Sequence, residues 1–210
     1  WATHGRPTVA NAHPHVSPDG RFALVHNGII ENADNLRAQL RAQGAIFTSE
    51  TDTEVVVHLL AHAYDQADPA SYTGEVAQLS GTDEAVARRL VVAMREVTAK
   101  LEGTFTLLAL STESPNVIVA ARRSSPLVIG LGEGENFLGS DVLAFIEHTN
   151  RALEIGQDQL VVVSASAVTV IGADGHPVPL KEYEVDFSAD RATKGGWPTF
   201  MEKEIHEQPR

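Results

Sequence analysis

The sequence predicts an α+β fold built from helices and largely antiparallel strands. Apolar residues recur at helical spacing in three stretches between residues 32 and 101. From residue 104 onward the pattern changes to short β-type runs that proline and glycine separate. Two of these runs, at residues 159–164 and 167–171, lie close enough in sequence to form a hairpin. At 210 residues, the chain fits one large domain or two small ones.

Composition narrows the classes of function. The chain carries 16 Lys and Arg against 28 Asp and Glu, and its net charge of −12 disfavours binding to nucleic acid or to anionic membranes. It has no cysteine, so these residues supply no disulfide, thiolate zinc site or cysteine nucleophile. No apolar run is long enough to span a bilayer, and a cytoplasmic location fits this composition.

The predicted helices are placed by their caps and their stop signals. Asn32 is expected to cap a first helix, which Gly44 would end. Thr51 or Asp52 is expected to cap a second helix with an apolar face. Asp83 would cap a longer third helix that reaches about residue 101. A short helix is also expected over residues 200–207.

The remaining elements are predicted as strands and irregular segments. Residues 1–18 carry no periodicity and are predicted to be a loop. Apolar runs bounded by turn residues predict strands at residues 22–25, 46–48, 105–110, 117–121, 127–130, 136–138, 159–164 and 167–171. Ser140 or Asp141 is expected to cap a short helix between them.

The most informative stretch is Asn27-Gly28, directly after the first long strand. Because glycine tolerates backbone angles that other residues avoid, the strand is expected to stop here. One side-chain amide and one backbone N–H would then lie close together at a strand end. Such a pair can donate two hydrogen bonds to the oxyanion of an acyl-transfer intermediate. An ordinary turn is the alternative interpretation of the same dipeptide.

Other polar residues have a functional and a structural interpretation. Asp52 at a helix start is either a cap or a carboxylate that receives an ammonium group. His58 and His62 share one helix face, and His13 and His15 flank a proline, but these pairs lack the further ligands of a metal site. The glycines of residues 130–134 favour a turn over a phosphate loop. We therefore predict no metal site and no cofactor.

Several separate motifs resemble the glutaminase domain of the glutamine–fructose-6-phosphate aminotransferases (isomerizing), also called glucosamine-6-phosphate synthases. The motifs lie in order along nearly the whole chain, and the last one distinguishes this family from other amidotransferases with the same glutaminase fold. They are residues 1–5, 11–15, 25–32, 49–54, 120–130, 136–141 and 201–209.

The resemblance implies an N-terminal-nucleophile hydrolase fold, a four-layer αββα sandwich of two antiparallel sheets between helical layers. It also implies a reaction in which an N-terminal cysteine attacks the side-chain amide of glutamine. The released ammonia passes through a channel to an isomerising domain, where fructose 6-phosphate becomes glucosamine 6-phosphate. Trp1 matches the residue that gates the ammonia path. The implied partners are L-glutamine or L-glutamate and further copies of the chain in a homo-oligomer.

The same resemblance assigns roles to residues around the reacting amide. Asn27 and Gly28 match the oxyanion-hole pair, through the asparagine amide and the glycine N–H. Thr3 and His4 match residues near the substrate α-carboxylate. Asp52, together with the Gly28 carbonyl, matches the group that holds the α-ammonium.

The sequence also departs from the family pattern. The opening segment with the nucleophile cysteine, the basic residue before Trp1 and the isomerase domain after Pro209 are missing from these residues. We therefore expect residues 1–210 to form a type-2 glutamine amidotransferase domain truncated at its N-terminus, partnered by the missing parts of its parent chain and inactive alone. The alternatives are a non-catalytic glutamine-binding module and a purely structural piece.

Overall fold

A computed structural model describes residues 4–185 and 197–207 as helices packed against two antiparallel sheets. The strands are β1 (His15–Val16), β2 (Phe22–Ile30), β3 (Gly103–Ser111), β4 (Ser114–Arg123), β5 (Val128–Leu131), β6 (Asn136–Gly139), β7 (Arg151–Glu154), β8 (Leu160–Val163), β9 (Val168–Ile171), β10 (Pro177–Val178) and β11 (Glu182–Glu184). The helices are α1 (Ala33–Ala42), α2 (Asp52–Gln66), α3 (Gly81–Lys100) and α4 (Phe200–Glu207).

The larger sheet has seven strands in the order β1-β2-β3-β4-β8-β9-β10, and the smaller has the order β11-β7-β5-β6. Every pair of neighbouring strands in the two sheets is antiparallel. Helices α2 and α3 pack on one face of the larger sheet, against β2 and β4 respectively. This arrangement confirms the predicted α+β class and its antiparallel pairing.

Strand β8 shows how the layers are held together. Leu160 and Val162 belong to the core beneath the helices, whereas Val161 and Val163 belong to the core between the two sheets. Successive side chains of a strand point to opposite faces, so a strand in a middle layer buries all of them. The continuous apolar run of β8 follows from this two-sided burial.

A segment of turns covers the outer face of the smaller sheet. Phe145 is buried there over Gly130, where an added Cβ would lie only 2.5 Å from the phenyl ring. Phe137 stacks on both Phe145 and His148, with ring centroids 6.3 and 5.0 Å apart. Asp141 caps the 3-10 turn Val142–Ala144 through the Leu143 N–H, as one of the two predicted caps.

Three predictions about secondary structure are wrong. Strand β2 does not stop at Asn27-Gly28 but continues to Ile30. Residues 46–48 form no strand, and Ile46 is 81% exposed. The N-terminal loop contains β1, which pairs with β2 through His15 opposite Leu24.

Two residues that were predicted to cap helices form hydrogen bonds to other segments instead. Helix α3 begins after Ser80, and the carboxylate of Asp83 in its first turn accepts a hydrogen bond from the Ser114 hydroxyl at 2.5 Å. Asn32 precedes α1, but its side chain bonds across to the Lys100 carbonyl and the Glu102 N–H. Both side chains therefore join distant segments. The stop at Gly44, with a φ of +93°, and the start of α2 at Thr51 are as predicted.

No helix within residues 4–185 and 197–207 is long and apolar enough to cross a membrane.

Candidate active site

Gly28 lies inside β2 in a conformation that only glycine adopts readily. Its φ is +127°, and an added Cβ would sit 2.1 Å from the main-chain oxygen of Thr104. The ladder nevertheless continues across this point, with Gly28 opposite Phe105 in β3. The glycine therefore permits a close approach of two backbones instead of ending the strand.

A cavity of about 1080 Å³ opens beside this glycine. Its walls come from the loop of residues 4–13, from residues 26–29 of β2, from residues 51–53 at the start of α2, and from Thr104. Four of the six residues to which the family resemblance gives a role line it together: His4, Asn27, Gly28 and Asp52. The other two, Trp1 and Thr3, lie outside the described residues.

The Asp52 carboxylate is not the cap of α2. The Thr51 hydroxyl takes that role by accepting the Glu54 N–H at 3.3 Å. Oδ2 of Asp52 instead accepts the main-chain N–H of Ile30 at 2.9 Å, which ties the first turn of α2 to β2. The residue is only 4% exposed, and the positive end of the helix dipole favours its negative charge. The cap interpretation of Asp52 is therefore wrong.

The second carboxylate in this turn has a structural role. Glu54 accepts hydrogen bonds from the main chain and the hydroxyls of Thr48 and Ser49. Burial raises the pKa of Glu54, but these hydrogen bonds outweigh it and lower the pKa below its ordinary value. Arg37 holds the same loop by donating to the carbonyls of Ser49 and Thr51. Asp52 is thus the carboxylate that lines the cavity.

Histidines surround Asp52. Nδ1 of His4 lies 3.7 Å from Oδ2, and Nδ1 of His26 lies 3.8 Å from Oδ1. Burial lowers the pKa of His13, His15 and His26, which leaves these three rings neutral at pH 7. The rings of His13, His15 and His26 therefore do not neutralise the charge of Asp52.

The Asn27 side chain is exposed and makes no hydrogen bond to any residue within the described ranges, whereas its main chain lies in the β2–β3 ladder opposite Thr106. It lines the large cavity and also a smaller one of about 120 Å³, which aliphatic side chains of both sheets enclose. Its side-chain amide therefore does not hold the fold together through buried hydrogen bonds. Both N–H groups of the side chain are available to an incoming oxygen.

Sequence reasoning missed Thr53 and His26, which also line the cavity. One signal was present for His26, because it follows Phe22 and Leu24 at the two-residue period of the buried face of β2. No local pattern marks Thr53. Among the described residues, no group of three or more His, Cys, Asp or Glu side chains is arranged to hold a metal ion.

The sequence of the chain is similar to those of known amidotransferases. Residues 6–80 match the glutamine amidotransferase domain family. The whole chain is 53% identical over 209 residues to the glutamine–fructose-6-phosphate aminotransferase (isomerizing) of Leifsonia xyli subsp. xyli. It is 51% identical over 210 residues to the enzyme of the same name from Streptomyces coelicolor. In both cases the chain spans 31% of the length of the relative.

Solved structures show the same fold at lower identity. The glutamine phosphoribosylpyrophosphate amidotransferase of B. subtilis, complexed with ADP and GMP, superposes with a TM-score of 0.51 at 22% identity. The allosteric regulatory enzyme of purine biosynthesis superposes with a TM-score of 0.52 at 21% identity. Each match covers 71% of this chain and 28% of the other.

The chain therefore shares the fold of these two structures, with helices packed on antiparallel sheets, in keeping with the predicted fold class. Along its whole length the chain is similar to a part, 31% of the length, of these glutamine–fructose-6-phosphate aminotransferases.

Proposed function

We propose that this chain binds L-glutamine and stabilises the oxyanion that forms when its side-chain amide is cleaved. It would do so as the glutaminase part of an enzyme that converts fructose 6-phosphate into glucosamine 6-phosphate. One observation carries the proposal: a single cavity holds the Asp52 carboxylate and the unbonded Asn27 amide. The names and high identity of the relatives support the choice of reaction.

Recognition of the amino-acid end follows from charge. A glutamine zwitterion brings one ammonium group, and Asp52 supplies a carboxylate that the Ile30 N–H already orients. In the proposal the Gly28 carbonyl accepts a second ammonium hydrogen. Thr3 and His4 would donate to the α-carboxylate, which is on the same carbon as the ammonium group. The neutral histidines around Asp52 leave its attraction for the ammonium intact.

The reacting amide would lie near Asn27 and Gly28. A thiol passes its proton to a nearby base and attacks the carbonyl carbon, and the carbonyl oxygen becomes an oxyanion. The base then returns the proton to the amide nitrogen, which leaves as ammonia and gives a thioester that water hydrolyses to glutamate and the free thiol. The Asn27 side-chain N–H and the Gly28 N–H would donate to that oxyanion. Because these 210 residues contain no cysteine, the proposed thiol comes from outside them. We expect the chain alone to bind glutamine without hydrolysing it.

The remaining parts of the proposal rest on the family resemblance. Trp1 is proposed to gate the path of ammonia toward the isomerising domain. From the same resemblance we further propose that the full-length protein is a cytoplasmic homo-oligomer. Light scattering on the full-length protein would measure the number of subunits.

Two measurements test the function. Calorimetry with the 210-residue chain should show binding of L-glutamine and L-glutamate, and an ammonia assay on the same sample should show no turnover. The full-length protein that contains the chain should release ammonia from glutamine and form glucosamine 6-phosphate when fructose 6-phosphate is added. Full-length protein that binds glutamine but never releases ammonia would instead establish the non-catalytic binding module. Failure to bind glutamine in both forms would contradict the proposal.

A further inference from the structure

The Thr53 hydroxyl lies at the meeting point of three polar side chains in the cavity wall. Its Oγ1 is 3.1 Å from Nδ1 of His26, 3.3 Å from Nε2 of His13 and 3.5 Å from Oδ1 of Asp52. Thr53 itself is 2% exposed, so water does not compete for these contacts. The histidines come from different segments, His26 from β2 and His13 from the loop before β1.

The donor inventory of these groups permits one assignment in which all three contacts are hydrogen bonds. A hydroxyl has one hydrogen to donate and two lone pairs that accept, whereas an ionised carboxylate only accepts. The Thr53 hydrogen must therefore go to Asp52. Both imidazoles must then donate to the hydroxyl oxygen, His26 from Nδ1 and His13 from Nε2.

The position of the hydrogen on His26 distinguishes this assignment from its alternative. Nε2 of this ring is buried and has no hydrogen-bond partner of good geometry among the described residues. With the hydrogen on Nδ1, Nε2 is a buried acceptor that no described donor reaches. The opposite tautomer would place an N–H on Nε2, on the side of the main-chain carbonyl of Thr104, and Nδ1 would then accept the Thr53 hydrogen in place of Asp52.

We propose that Thr53 is a positioning residue that fixes the Asp52 carboxylate for the α-ammonium group of the substrate. The Ile30 N–H holds Oδ2, and the Thr53 hydroxyl, itself held by two imidazole donors, holds Oδ1. Both carboxylate oxygens are then oriented before a ligand arrives. This lowers the entropic cost of ordering the Asp52 side chain when the ligand binds. The role assigned to the ligand rests on the proposed function, whereas the hydrogen-bond arrangement does not.

The arrangement is tested first without any ligand. Nitrogen-15 NMR of the histidine rings in the chain at pH 7.5 should show His26 as the Nδ1–H tautomer and His13 as the Nε2–H tautomer. Thr53→Val should abolish the preference at His13, the more exposed ring, while Thr53→Ser keeps it. Finding the hydrogen of His26 on Nε2 in the wild-type chain would overturn the assignment.

The positioning role is tested with two ligands that differ only in the ammonium group, L-glutamine and glutaramate. Thr53→Val should weaken L-glutamine binding by about tenfold, in keeping with the loss of one hydrogen bond to a charged group. Glutaramate binding should change less than about twofold, because that ligand does not use Asp52. Thr53→Ser should restore the affinity for L-glutamine.

A matched control is Thr169→Val, which removes another buried hydroxyl that bonds the Ala77 N–H and does not line the cavity. It should leave both affinities unchanged. Equal losses for the two ligands in Thr53→Val would show a merely structural role and contradict the proposal, as would no loss for either. A wild-type chain that binds neither ligand but shows the assigned tautomers would contradict the proposed function and support the hydrogen-bond arrangement.

Discussion

The carboxylate of Asp52 and the main-chain nitrogen of Ile30 are joined by a 2.9 Å hydrogen bond. This contact connects the first turn of α2 to β2 two residues after Gly28. It therefore sets the separation between the group proposed to hold the substrate ammonium and the pair proposed to hold its oxyanion. This hydrogen bond can maintain that separation because it is buried, where water competes little for its donor and acceptor.

Removing the charge of Asp52 should abolish most of the affinity for an amino acid. Asp52→Asn keeps the shape of the side chain, but an amide attracts an ammonium group far less than a carboxylate does. We expect L-glutamine binding to weaken by about 30-fold or more, measured by calorimetry. Asp34→Asn, which changes an exposed aspartate in the first turn of α1, should bind like the wild type. Equal affinities for the two variants would contradict the assignment.

Gly28→Ala should destabilise the protein strongly. The new Cβ meets the Thr104 main-chain oxygen, and the φ of +127° is strained for alanine. We expect a loss of about 3 kcal/mol or more in the free energy of unfolding, because strain and a backbone clash add together. Urea denaturation measures this loss. Gly20→Ala is the control, since Gly20 also has a positive φ but has no atom within 4 Å of an added Cβ.

Asn27→Ala should separate function from stability. The side chain is exposed and bonds to no described residue, so the free energy of unfolding should change by less than about 0.5 kcal/mol. In the full-length enzyme the same variant should lower kcat for glutamine hydrolysis by about 100-fold or more, as expected for a lost oxyanion donor. A variant that unfolds readily, or one that keeps its kcat, would show that Asn27 has a different role.

Acidification should weaken the fold before any carboxylate titrates. Burial lowers the pKa of His15 and His26, so the unfolded chain binds protons first as the pH falls below about 6.5. Stability is therefore full above that pH and declines below it, by at most about 1.4 kcal/mol per pH unit for each ring. Urea denaturation at pH 7.5 and 5.5 should show the decline.

The pH dependence has its own control. His26→Gln should reduce the difference in unfolding free energy between the two pH values, whereas His176→Gln, which changes an exposed ring, should leave it as it is. Stability that stays constant or rises on acidification would rule out the neutral, buried histidines described around Asp52.

Much of the fold is predictable because periodicity reports burial. The apolar face of α3, with Val86, Leu90, Ala93 and Val97, is buried as its helical spacing indicates. The continuation of β2 through Gly28 was not predictable, because it depends on the approach of Thr104 from a strand some 75 residues away. A local rule marks glycine as a break and carries no information about such a neighbour.

The residues of the candidate site were likewise predictable only where a local motif marks them. Asp52 and Asn27 were found because they sit in distinctive motifs, and the structure places them on one cavity. Asp83 was predicted to cap α3, but the helix begins after Ser80, and local sequence cannot show that Asp83 bonds Ser114 instead. Thr53 was missed because its partners come from two other segments, and only the folded chain brings them within hydrogen-bonding distance.

Chemical-shift mapping of L-glutamate binding to the nitrogen-15-labelled chain tests whether Asp52 and Asn27-Gly28 form one ligand site. The expected perturbations centre on the Asn27 side-chain amide and on the main-chain N–H groups of Gly28 and Ile30, with little change around the separate cavity beside Arg88. Perturbations centred at Arg88, or a spectrum that does not change at saturating L-glutamate, would contradict the account.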